Sequence, residues 1–117
     1  LFANATWVAE GRVPGPESMS NMILYEDGTP RTKHVITNLT LDIDEAAGSA
    51  SGHCYVTVYQ QTPEFPLQAI FVGEYFDTFL HAAQGWAFSQ REIRNALIGD
   101  MRAHLKTPSL TIPGATP

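Results

Sequence analysis

Cysteine is nearly absent. Cys54 is the single thiol in 117 residues, so an internal disulfide is excluded and no cysteine framework for a metal exists. That usage suits a reducing compartment. Basic residues are also scarce, with seven Lys and Arg against twelve Asp and Glu and a net charge of -5. A nucleic-acid surface needs a basic patch to displace counterions, and this balance argues against one. No apolar run approaches the roughly 20 residues of a membrane-spanning helix, and no basic start leads into an apolar signal core. The expectation is a cytoplasmic protein with neither a membrane nor a nucleic-acid partner. No glycine-rich phosphate cradle and no G-x-S-x-G elbow occurs, which leaves nucleotide use and serine hydrolysis without support. His53, His81 and His104 are widely spaced and form no ligand pattern, so neither a metal nor a cofactor is expected. Two N-x-T triplets, beginning at Asn4 and Asn38, would matter only in a secreted chain. The sequence opens at Leu1, without a methionine and inside an apolar phrase, from which we expect an upstream segment.

What remains is one domain, long enough to hold a core. Its clearest pattern runs from Arg31 to Asp44. Val35, Thr37, Leu39, Leu41 and Ile43 alternate with His34, Ile36, Asn38, Thr40 and Asp42, which is the period of a strand. Pairing a histidine with an isoleucine two residues on is unusual for a wholly solvated face. His34 is therefore expected to line an enclosed space.

Leu1–Glu10 reads as a helix end running into a strand, and Gly11–Pro16 as a turn. Met19, Met22 and Ile23 then make an apolar stripe at helical spacing after Pro16, stopped by the turn residues of Glu26–Pro30. Asp44–Gly48 forms an acidic hairpin loop leading to a strand over Ser49–Gln61. A strand over Leu67–Leu80 is apolar on both faces, with Phe71, Gly73, Tyr75, Asp77 and Phe79 on one of them, and is expected to be central. A fourth strand covers Trp86–Asn95, with Trp86 and Phe88 opposite Ala87, Ser89, Arg91, Ile93 and Asn95. Leu97–Leu105 would add a helical turn or two, and Thr107–Pro117 a proline-rich tail. Helices followed by hairpin-connected strands give an α+β class, a curved antiparallel sheet wrapped against helices.

Five phrases in register resemble the nuclear transport factor 2-like superfamily, in particular its SnoaL-like branch. They are Leu1–Ala3 with Trp7, Glu10 and Gly11; Gly15–Glu17; Lys33–His34 leading to Thr37–Leu39; Gly73–Tyr75 with Phe79; and Gly85–Phe88. The resemblance implies a cone-shaped half-barrel whose mouth is closed by helices, a pocket for a small apolar cyclic or aromatic molecule, and a homodimer through the outer sheet face. It also implies a first helix upstream of Leu1. In dehydratases and dehydrochlorinases of this branch the histidine that His34 matches is a catalytic base working with an aspartate on that helix, and the aspartate is not in this sequence. A second pocket histidine falls at about Gln60, an asparagine at about Tyr75, and Arg91 falls near a pocket position.

The resulting candidates are His34, Arg91 and Asp77 for catalysis, with Tyr75, Asn38, Val56, Val58, Gln60, Phe71, Ile93 and Asn95 lining the substrate pocket. His34 could accept a proton from carbon or hydroxyl, or could only hydrogen-bond within the wall. Arg91 could stabilise developing negative charge, or pair with Glu92 or Asp77. Tyr75 offers a hydroxyl-bearing aromatic wall, or packing. Cys54, among valines, reads as core, as do Trp7, Trp86 and Phe88. The function expected is a cofactor-free lyase or isomerase with His34 as base. The alternatives are a non-catalytic ligand-binding or dimerisation module of the same fold, and a fragment of a larger protein. An apolar outer face with Val35, Leu39, Leu41 and Val72 leaves room for a partner.

Overall fold

The structure, a computed structural model, describes the backbone of residues 6–9 and, with side chains, residues 21–107. Five strands make one sheet: β1 Thr6–Ala9, β2 Thr32–Asp44, β3 Ser49–Gln60, β4 Gln68–Ala82 and β5 Gly85–Ile98. Their order is β1-β5-β4-β3-β2, so the hairpin-connected strands β2 to β5 are sequential neighbours, and β1 adds to the far edge in parallel with β5. The four antiparallel strands form a curved, unclosed sheet. No helix lies among the described residues.

Four irregularities in register sit along the hairpins: after Thr37 in β2, at Ile70 and beside Val72 where β4 meets its neighbours, and at Ser89 in β5. Each inserts one unmatched residue, which bends the strand and raises its twist. One face is thereby made concave, and its part along β3 and β4 is buried. Its core is Cys54, Val56, Val58, Ile70, Phe71, Tyr75 and Met101.

The bulges also re-aim side chains, and two expected faces are corrected by them. Thr37 pairs with Tyr55 and Thr40 with His53, so Asn38 and Leu39 together oppose Cys54. Asn38 takes a left-handed backbone, φ 54°. Past that point the alternation inverts, and Leu41 and Ile43 pair with Gly52 and Ala50 on the concave face rather than sharing the outer face with Val35. A Cβ built on Gly52 would stand 3.0 Å from Leu41 Cδ2, which places that leucine over the inner face. In β5 the extra residue Ser89 lets Phe88 pair with Phe79 and Arg91 with Asp77. Phe88 therefore shares the face of Arg91, Ile93 and Asn95 instead of opposing it. Trp86 is 39% exposed and is not a core anchor.

The stripe expected to be helical departs as well. Met19 lies outside the described residues; Met22 forms an isolated bridge with Leu105, and Ile23 N–H donates to His104 O. Backbone pairing with the returning C-terminal segment overrides the local spacing. That segment makes a turn at Met101–Leu105, with the His104 and Leu105 amides both donating to Met101 O. Together the two segments cap one end of the concave face.

Candidate functional site

His34 stands at the capped end of β2. It pairs with Val58, and Ile36 pairs with Val56, so the imidazole is on the concave side with the two buried valines. The residue is exposed yet partly desolvated by that wall, which lowers its pKa and favours the neutral form. Among the described residues His34 makes no hydrogen bond to a carboxylate. An imidazole in that state can accept a proton.

Gln60 lies two residues from Val58 on the same face and is 1% exposed. Its Nε2 donates to Pro30 O at 3.1 Å and to Ala103 O at 3.0 Å. Tyr25 Oη donates to the same Ala103 carbonyl. His104 follows directly, half-buried, with its pKa lowered by desolvation and then by the nearby His34. Sequence reasoning assigned no role to His104 or Tyr25. The one available signal was the placement of a histidine between the apolar Met101 and Leu105.

Deeper along the face, Phe71, Tyr75 and Asp77 are buried. Ile93 and Asn95 pair with Tyr75 and Gly73, so the structure brings Val56, Val58, Phe71, Tyr75, Ile93 and Asn95 to one surface. Arg91 and Asp77 lie on it too, but engaged with each other: Nε and an Nη hydrogen donate to the two carboxylate oxygens at 2.8 and 3.0 Å. The guanidinium carbon sits 3.9 Å from the Tyr75 ring centroid. Burial pushes the Tyr75 hydroxyl and the Cys54 thiol above their ordinary pKa values. Cys54 is 2% exposed and behaves as core. Asn38, on the bulge, is exposed.

Open clefts also lie elsewhere among the described residues. One of about 550 Å³ is bordered by Tyr25, Thr62, Phe65, Asp100, Arg102 and Ala103 and holds no expected site residue. Another, of about 400 Å³, includes Asp77 among its lining. No group of three metal-ligating side chains occurs among the described residues. No described helix is long and apolar enough to cross a membrane.

The SnoaL-like domain matches residues 2–92. The chain belongs to the SnoaL-like domain family. Solved structures similar to this SnoaL-like chain include a nuclear transport factor 2-like protein with a cystatin-like fold from Novosphingobium aromaticivorans, 15% identical with a TM-score of 0.60 over 86% of this chain and 66% of that one. A protein from Kribbella flavida is 20% identical with a TM-score of 0.59, over 86% of this chain and 74% of that one. A function-unknown protein from Mycobacterium tuberculosis is 17% identical with a TM-score of 0.55, over 80% of this chain and 55% of that one. The chain thus spans about half to three quarters of the length of these relatives. At such identities the likeness concerns the fold, that of the nuclear transport factor 2-like superfamily. A search of the curated proteins finds no significant match.

Proposed function

We propose that this SnoaL-like chain holds a small, largely apolar cyclic or aromatic molecule against its concave face and, without a cofactor, acts on it as a lyase or isomerase with His34 as general base. One observation carries the reading. A partly desolvated imidazole, its pKa lowered by burial, shares the inner face with buried Val56 and Val58. Helices close the cone over this face, and Tyr75, Phe71, Ile93, Asn95, Gln60 and Asn38 surround the ligand. Arg91 and Asp77 act there as a closed pair that frames Tyr75. The protein works in the cytoplasm as a homodimer through the outer face, where Val35, Tyr55 and Leu97 are exposed.

A positioned base contributes roughly 10²- to 10⁴-fold, which a generic proton-abstraction probe can read. In the elimination of 5-nitrobenzisoxazole the base takes the ring C–H proton, its electron pair completes the nitrile, the N–O bond breaks, and a phenolate is released and absorbs light. Turnover above the solution imidazole rate, lost in His34→Ala, is expected. Turnover unchanged by that substitution removes the base assignment. The non-catalytic ligand-binding reading is favoured by a different observation: His34 has no carboxylate partner among the described residues. It predicts binding of apolar aromatic compounds with no elimination at all.

A further inference from the structure

β2 ends the sheet, and among the described residues no strand lies beyond it. All but the first of its 13 residues are exposed. The backbone of such a strand turns alternate N–H and C=O groups away from the sheet, where they form a template for another strand. Native chains blunt long edges with proline, lysine or a bulge. Thr32–Asp44 holds no proline and one lysine, Lys33. Ile36, Leu39, Leu41 and Ile43 are between 46% and 59% exposed. The one irregularity is the bulge at Asn38 and Leu39, with its left-handed Asn38, which bends the strand and spoils pairing with a straight one.

We propose that this edge takes the same edge of a second copy, the two β2 strands running antiparallel about a two-fold axis that sets Asn38 opposite the partner's Leu39. The bulge selects the occupant. With the axis between Asn38 and Leu39, two equal bends face each other and both strands curve together, which a regular strand cannot match. The side chains agree with that register. Counted outward from the axis, Ile36 meets the partner's Leu41 and His34 the partner's Ile43, all on the concave side; Thr37 meets the partner's Thr40 and Lys33 the partner's Asp44, all on the outer side. A slip of one residue sets inner against outer side chains, and a slip of two sets the bulge against regular strand. Charge agrees as well. Lys33 begins β2 and Asp42 and Asp44 end it, so antiparallel pairing brings opposite charges together at both ends. Each copy then sets Ile43 beside its partner's exposed histidine and extends the wall of the concave face. The pairing does not depend on His34 acting as a base, and it is separate from a contact through the outer face. Where both contacts form, two kinds of two-fold axis give a closed tetramer.

The test is amide hydrogen exchange along β2, read residue by residue by NMR, with sedimentation equilibrium on the same full-chain samples diluted from roughly 100 to 1 µM. The outward amides of β2 are expected to be protected at the high concentration and to lose protection on dilution, in step with a falling mass. Lys33→Glu sets like charges together at both ends and should weaken the association about tenfold or more. Lys33→Glu with Asp44→Lys should restore most of it. The inward amides, bonded to β3, report that each variant stays folded. A mass that falls on dilution while the outward amides exchange freely throughout means a contact through another face and overturns the proposal. So does a monomer at every concentration, or protection independent of concentration, which a segment of the same chain lying on the edge would give. A double variant no tighter than Lys33→Glu alone overturns it as well.

Discussion

Asp77 and Arg91 are Cα partners across β4 and β5, and their side chains close on each other through two parallel hydrogen bonds of 2.8 and 3.0 Å. The side chains are 4% and 13% exposed, so neither charge could stand alone there at low cost. The planar guanidinium also lies over Tyr75 and Phe88. Fork geometry and ring stacking are things an ammonium cannot supply.

From this pair comes the first stability prediction. Removing one partner of a buried pair leaves an uncompensated charge and costs roughly 3–5 kcal/mol. Asp77→Ala should therefore lower the unfolding free energy by about that much. Arg91→Lys keeps the charge but loses the bidentate fit, and should cost about 1–3 kcal/mol. A double change to Asp77→Leu with Arg91→Met should recover much of the loss. Urea unfolding of the four proteins decides it; a double variant no better than the worse single one contradicts the account.

The extent to which all this was legible in the sequence follows from where the register slips. Residues Ser49–Gln60 and Phe71–Phe79 alternate without interruption over most of their length, and their expected faces match the pairing found. The two misread faces lie beyond bulges, at Asn38 and Ser89, where one extra residue shifts every later side chain to the opposite surface. Neither position carries a glycine or proline to announce it. The pairing of Arg91 with Asp77 stood among the sequence alternatives because both fall in strands expected to be neighbours. The cap over Gln60 was invisible, since it joins Ile23 to His104 and Met22 to Leu105 from opposite ends of the described chain, and the first of these segments has helical spacing.

The Asn38 bulge can be tested by backbone preference. Asn tolerates the left-handed region better than other side chains, and glycine adopts it freely. Asn38→Gly should leave stability within about 0.5 kcal/mol, while Asn38→Val should cost roughly 1–3 kcal/mol through strain. Because the bulge sets which side chains reach the concave face, the valine variant should also weaken any aromatic ligand's binding. Thermal unfolding and a p-cresol titration check the two halves separately.

Gly73 supplies a packing prediction. A Cβ there would meet Phe71 ring carbons at 2.7 Å and Arg94 O at 2.9 Å. The ring could turn, but the carbonyl belongs to the paired strand. Gly73→Ala should therefore destabilise the protein by about 1–3 kcal/mol through overpacking, although alanine is normally the better strand residue. Stability equal to wild type would show that β5 yields more easily than its pairing suggests.

Acidification is expected to weaken the fold in a window set by the capped end. His34 and His104 both have pKa values lowered in the folded chain by desolvation, against about 6.5 when unfolded. Above that value the rings are neutral in both states and contribute no slope. As pH falls below it the unfolded chain takes up protons first, so the unfolding free energy declines until the folded pKa values are passed. The carboxyl of Asp100, held at about 2 by Arg102, and that of Asp27, lowered chiefly by Thr29, titrate well below this window. Urea midpoints should therefore drop between pH 7.5 and 5.5. In His104→Gln, which keeps a polar group but cannot charge, the drop should shrink. An undiminished slope in that variant would assign the proton uptake to His34 or to groups outside the cap.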